Sequence, residues 1–443
     1  MSKTFRPWEV DQAWLLPPSV QELVPKDDPA HLVREVVRSE LDLRSILETY
    51  DEERGYPPYH PTMMTALLLY AYTQGVYSSR RIARACQHRV DFMAVTAMQT
   101  PDFRTINNFR KRHLAALGGL FTQVLRLCAR AGMVQLGHVA LDGTKVQANA
   151  SKHKAMSYDR MNKTEKELAA TVAEWFAKAE AADADEDAEF GADRRGDEMP
   201  AWVADKQKRL EKIRAAKAEL EAEAKKQLKA EAEDKPPPGP PRHPRGGKKR
   251  PKKDGTPHDK AQLNFTDPDS RIMKGPTGYI QAYNCQAAVD AGHQVIVAHS
   301  VGNQQNDSNQ LIPMVAQIRE NLGRQTAELS ADSGYLSEEN LRSLDRRRIR
   351  GYVATGRLKH SDTGKPRRKL RGKRSIAMRL KLDRAGYRSR YRLRKQVVEP
   401  VFGQIKEAQG FRRFKLRGLA KVPHEWALVC TAHNLLKLTR KAA

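Results

Sequence analysis

The sequence has few cysteines, fewer acidic than basic residues and no long apolar run, and each shortage excludes a class of protein. Its four cysteines, Cys86, Cys128, Cys285 and Cys430, stand far apart with no CxxC pair. That suits neither a disulfide framework nor a cysteine-ligated zinc site, and it predicts a reducing compartment. The longest apolar run, MMTALLLYAY from Met63, is too short to span a bilayer, and the N-terminal MSKTFRPWEV lacks the apolar core of a signal peptide. A soluble, cytoplasmic protein is expected. Acidic residues number 53 against 79 Lys and Arg, a net charge of +26. An excess of that size calls for a polyanionic partner, nucleic acid first, and the basic residues recur in runs at Lys248–Lys253 and Arg367–Lys369.

With 443 residues, two or three domains are expected. Residues 1–133 read as helical. HPTMMTALLLYAYTQGV starts a helix at Pro61 whose apolar positions crowd too densely for a surface stripe. SSRRIARACQHRV, capped by Ser78, turns Ile82 and Ala85 inward. PDFRTINNFRKRH, from Asp102, buries Phe103, Ile106 and Phe109 and leaves Asn107, Arg110, Lys111 and Arg112 outward. Short basic helices in succession fit a helix-turn-helix DNA-binding module or an ordinary bundle with solvated basic faces. From Gly132 the texture becomes β-rich. VQLGHVALDGTKVQAN, GYIQAYNCQAAVD, HQVIVAHSVGN, TAELSADSGYL and IRGYVATG read as strands, with helices at DSNQLIPMVAQIREN and SEENLRSLDRR. A mixed α/β sheet flanked by helices follows, over 134–152 and 266–443. Between these two parts, 153–265 forms an insert. Apolar stripes at Leu168 and Val172 and at Val203, Leu210, Ile213 and Leu220 predict a helical hairpin, and DKPPPGPPRHPRGGKKRPKKDG a flexible basic linker.

Two carboxylates close strands of the sheet, Asp142 after VAL and Asp332 after AELSA, each with a glycine within two residues to let the chain leave the sheet. Hard oxygens so placed suit divalent cations of the Mg²⁺ or Mn²⁺ type. A third acid is available in YRLRKQVVEPVFGQIKEAQGFRRFKLRG. If this segment is helical, Tyr391, Lys395 and Glu399 are successive i,i+4 neighbours, with Lys406 two turns beyond on the same face. Pro400 marks a kink or a helix start. GFRRFKLRG interleaves Phe411 and Phe414 with Arg412, Arg413, Lys415 and Arg417, a pattern for lying along DNA or for packing the phenylalanines on the sheet. Asp267 and Asp269 in TDPDS read as a turn, and Asn303, Asn306 and Asp307 as helix-capping residues.

DGTKVQANAS, ADSGY and EPVFGQIK, in that order, resemble the motifs of the DDE transposases of bacterial insertion sequences. The subgroup with a Tyr-Arg-Glu-Lys signature spaces Tyr, two residues, Arg, three residues, Glu, six residues, Lys. Glu399 and Lys406 keep that spacing, Lys395 takes the arginine position, Arg392 falls at the tyrosine position and Tyr391 lies one residue earlier. The resemblance implies an RNase H-like catalytic domain behind a helical DNA-binding domain, with Asp142, Asp332 and Glu399 as catalytic ligands of two Mg²⁺ or Mn²⁺ ions. It implies DNA contacts from Lys406, Lys395, Arg392, Tyr391, Arg412, Arg413, Arg110 and Arg112. The partners would be double-stranded DNA, as transposon ends and target, in a homodimeric synaptic complex at the nucleoid. Two alternatives are a catalytically inactive DNA-binding repressor of transposition and an RNase H-like DNA nuclease.

Overall fold

The computed structural model describes residues 19–50, 57–190, 201–233, 251–252, 254–275, 278–356 and 369–442. Seven helices come first: α1 (Pro29–Glu35), α2 (Arg44–Leu47), α3 (Pro61–Thr73), α4 (Ser79–His88), α5 (Val90–Thr96), α6 (Phe103–Arg112) and α7 (Leu114–Arg130). Pro61 opens α3, where its missing N–H is no loss, and His60 accepts from the Thr62 N–H. Leu67 to Tyr72 are wholly buried, so α3 is the centre of the helical region, as its apolar density predicts.

After β1 (His138–Gln147) and β2 (Ala155–Ser157) come the long helices α8 (Tyr158–Phe190) and α9 (Ala201–Glu233). Next are β3 (Gln262–Asn264), β4 (Arg271–Gly275), β5 (Gly278–Asp290), β6 (Ile296–Gly302), α10 (Leu311–Leu322) and β7 (Glu328–Ala331). The chain ends with α11 (Glu338–Arg346), β8 (Arg350–Val353), α12 (Lys373–Ala385), α13 (Leu393–Gly403) and α14 (Val422–Ala442). The main sheet runs β4-β5-β1-β7-β8, and β6 pairs with the far half of β5. β5 and β6 are antiparallel to their neighbours, whereas β1, β7 and β8 are parallel. This order and these directions make an RNase H-like mixed sheet. The expected strands are all present; β4 and the two-stranded β2–β3 pair were not expected.

The hairpin of α8 and α9 has its own small core of Tyr158, Met161, Ile213, Ala216, Leu220 and Leu263. Arg271 Nη2 of β4 reaches Glu223 of α9 at 2.8 Å, so the hairpin leans on the sheet edge, two strands from β1. Most of the basic Pro/Gly-rich linker lies outside the described residues. All four cysteines are buried and free, and among the described residues no helix is long and apolar enough to cross a membrane.

α14 packs on α3, α7 and β6, which gives the N-terminal helices and the sheet one connected core. A second tie is the turn after α3. Gly75 has φ +69°, and a Cβ there would stand 2.5 Å from the Gln409 carbonyl oxygen. Gly75→Ala therefore combines left-handed strain with a backbone clash and is expected to destabilise by about 2–4 kcal/mol, read as a lower urea midpoint.

Candidate active site

The register of the central strands creates the site. β1 pairs with β7 only as far as Leu141–Ala331, then continues to Gln147 against β5 alone. Asp142 is the first residue of β1 beyond that last pair, and Asp332 the first beyond β7. The two carboxylates thus flank the fork where parallel strands part, the place at which an open sheet leaves a crevice. Asp332 ends its strand as expected and accepts from the Gly334 N–H at 2.7 Å, starting the turn Ser333–Tyr335.

Asp142 does not end a strand, and Gly143 is not a turn. The antiparallel ladder with β5 carries both through the middle of β1. Gly143 serves a different need: a Cβ there would lie 2.5 Å from Gln286 Nε2, 2.9 Å from Asp307 Oδ1 and 3.2 Å from Asn284 Oδ1.

Asp307, read from the sequence as a capping residue, is not the cap of α10, whose N-cap is Gln310 with no side-chain capping bond. Its Oδ1 instead accepts from Asn284 Nδ2 at 2.6 Å and Gln286 Nε2 at 2.7 Å, with Lys145 Nζ 3.7 Å away. Gly334 makes room on the other side, since a Cβ there would come within 3.2 Å of Asp307 Oδ2. Burial, then the charges of Asp332 and Asp307, push the Asp142 carboxyl up to about 6, against the pull of Arg394 and the Gly143 N–H.

The third acid arrives on α13, which packs on β1, β5 and β7 through Val397, Val398, Val401 and Phe402. Pro400 lies inside this helix. It cannot donate to the Gln396 carbonyl, and Gln294 Nε2 fills that role from outside at 3.1 Å. Gln294, held at φ +58°, also accepts from Lys437 Nζ at 2.9 Å, so one side chain ties α13 to α14.

Arg394 occupies the gap between Glu399 and Asp142. Its Nη1 meets Asp142 Oδ2 at 2.5 Å and its Nη2 meets Glu399 Oε1 at 3.0 Å, with the side chain only 12% exposed. The Tyr391 ring lies 6.0 Å from the guanidinium. Lys395 and Arg392 are exposed, so Arg394 is the cation that joins the acids. Tyr391 and Arg394 themselves keep the two-residue gap of the signature, with one extra residue before Glu399. That is the signal by which Arg394 could have been found. Lys406 sits in a π-helical turn, Gln404–Ala408, and donates to Thr144 Oγ1 at 2.6 Å and the Lys145 carbonyl at 2.9 Å. Burial lowers its pKa.

The remaining candidates are dispersed. Arg412 pairs with Glu407, and Arg413 forms a parallel bridge with Gln147, the last residue of β1, while Phe411 and Phe414 are buried. Arg112 is exposed and lies over the Tyr50 ring at 4.9 Å. Arg110, expected outward, is only 4% exposed: it donates to the Tyr77 carbonyl at 2.9 Å and to Ser79 Oγ at 3.3 Å. Phe103, expected to be buried, is exposed. Asp267 and Asp269 form the expected turn and bond the Gly418 and Leu419 N–H groups.

Among the described residues no group of three or more His, Cys, Asp or Glu side chains is set to hold a metal ion. The donor chemistry nevertheless fits a divalent cation. The oxygens at the fork are hard, and burial, with the Asp332 and Asp307 charges beside it, makes the Asp142 charge costly, a cost that a bound cation relieves. Glu399 is paired with Arg394 instead.

The chain matches the family described as Transposase domain (DUF772) over residues 18–112 and that described as Transposase DDE domain over 250–435. The chain belongs to the DDE transposases. No curated protein and no solved structure matches it. The DDE match holds Asp332, Glu399 and Lys406 of this transposase, whereas Asp142 falls between the two matches and joins the site through the pairing of β1 with β5 and β7.

Proposed function

We propose that this transposase binds the terminal inverted repeats of its insertion sequence as duplex DNA, nicks the ends and transfers the 3′-hydroxyl strands into target DNA. The observation that carries the reading is the register that sets Asp142 and Asp332 together at the fork, with Glu399 joined to Asp142 through Arg394. Two Mg²⁺ or Mn²⁺ ions bound there would supply an activated water and offset charge on the leaving oxygen. Asp142, Asp332 and Glu399 would hold them, Glu399 by giving up Arg394. The freed guanidinium would then face the scissile phosphate, where negative charge gathers in the transition state. Lys406, anchored on Thr144, holds its charge beside the same strand. Lys395, Arg392, Tyr391, Arg412, Arg413 and Arg112 would contact DNA around the site. Holding two ends at once requires two copies, so a homodimer belongs to the proposal.

The test is incubation of the purified protein with Mg²⁺ and DNA carrying its own element's ends. Nicking followed by joining is expected. Intact strands would point to a repressor, nicking without joining to a nuclease, and full cleavage by Asp142→Ala, Asp332→Ala and Glu399→Gln would overturn the site.

A further inference from the structure

A cleft of about 720 Å³ that none of the three acids lines lies between α4 and α6 on one wall and Asn149 and Lys415, after β1 and α13, on the other. Arg80 and Arg104, Asn107 and Asn108, and Asn149 and Lys415 line it, with Ser78 and Ser79 at the start of α4, and no carboxylate faces in. The first turn of α4 has no side-chain cap, which leaves its N–H groups as further donors. Every charged side chain of the lining is a cation, which favours an anion.

Phe103 explains how the wall is held. It is 37% exposed, an unusual place for a large aromatic ring, and it has the Arg80 guanidinium 5.1 Å and the Arg104 guanidinium 5.7 Å from its centre. Neither arginine pairs with a carboxylate among the described residues. The ring is a spacer that spreads two cations from two helices without neutralising them. The opposite wall is also fixed. Asn149 Nδ2 donates to the Lys415 carbonyl at 2.8 Å, and buried Glu425 accepts from the Lys415 and Leu416 N–H groups, each at 2.9 Å. The Lys415 side chain projects from that anchored backbone.

We infer that this cleft grips the phosphate backbone of duplex DNA, with Arg80 and Arg104 on one side and Lys415 on the other. The inference rests on reading the chain as acting on DNA. It also sets a distance. Asp142 and Asn149 are seven residues apart, five of those steps within β1 and the last two in the bend after it, so at most about 23 Å separates them at roughly 3.3 Å per residue. With the duplex laid along β1 at about 3.4 Å per base pair, the gripped phosphates lie within about seven base pairs of the bond to be cut. The N-terminal helices and the catalytic sheet therefore hold the same stretch of DNA.

Binding of two duplexes, one with the element's terminal repeat and one scrambled, measured by fluorescence anisotropy across a salt series, tests this. Backbone contacts carry no sequence information, so Arg80→Ala/Arg104→Ala should weaken both about tenfold and reduce the salt slope by about two. Phe103→Leu should cause a smaller loss that Phe103→Trp restores, a pattern that simple loss of packing would not give. Phosphate-ethylation interference on the end duplex should lose its signal within about seven base pairs of the cut in the double variant. Unchanged affinity and slope in the double variant, with circular dichroism of folded protein, would overturn the cleft. Wild-type protein that binds neither duplex would overturn the cleft and the DNA reading together, whereas binding without end cleavage would count against the transposition chemistry alone.

Discussion

Asp142→Asn is expected to lose strand cleavage by on the order of 10³-fold or more, and to be more stable than the parent protein at neutral pH. Both effects come from one geometry. The carboxylate is buried at the fork with two other acids near it, so its charge is useful to a cation and costly to the fold. Its carboxyl is pushed up to about 6 in the folded chain, against about 3.9 in an unfolded one. A raised acid favours folding when protonated. That stability is complete below pH about 4, declines as pH rises, and is gone above about 6. Asparagine mimics the protonated state at every pH, so the variant should gain about 1–3 kcal/mol that appears between those limits and stays level above them. Urea unfolding in the presence of a chelator at pH 4, 5, 6 and 8 measures the gain. Equal stability of the two proteins at pH 8 would show that Arg394 already compensates the charge.

Much of the fold could be read because its strands are β-rich segments bounded by turn residues and some helices carry a start signal, as α11 does at Ser337 and α6 at Asp102. The strand end at Asp332 leaves a sequence trace, whereas at Asp142 the following glycine suggests an end where β1 runs on to Gln147. The misreadings share a physical cause. Arg110 stands four residues after Ile106 and shares its buried face, but a charged residue reads as outward unless its partners, the Tyr77 carbonyl and Ser79, are known. Phe103 opens α6 at the rim of the cleft beside α4, where Arg80 and Arg104 flank its ring. β4 was missed because five residues, RIMKG, directly follow a turn. Arg394 was missed because the signature was counted back from Glu399, and one extra residue moved the arginine out of register. Asp307 had no local trace at all, since its partners Asn284 and Gln286 lie on β5.

Asp307 and Gly143 supply the second large effect. The carboxylate of Asp307 fits between β1 and the Asp332 turn only because both neighbouring positions are glycine. Gly143→Ala puts a methyl group 2.5 Å from Gln286 Nε2 in an ordinary strand conformation, so its cost is purely steric. Gln286 must shift, and it carries the Tyr335 hydroxyl on one side and Asp307 on the other. Cleavage should fall about 10–100-fold, as when an outer partner of a metal ligand is displaced, with a stability loss of about 1–3 kcal/mol. Asp307→Asn keeps the size and, through Oδ1, both amide bonds but removes the charge. It should lower cleavage to a similar degree with little change in melting temperature, and weaken the Mn²⁺-dependent rise in melting temperature. Because the methyl group at 143 and the carboxylate at 307 compete for one space, the two substitutions should not add. A double-mutant cycle is expected to show a coupling of about 0.5–3 kcal/mol. Strict additivity would mean that Gly143 is required by Gln286 alone and that Asp307 acts independently of β1.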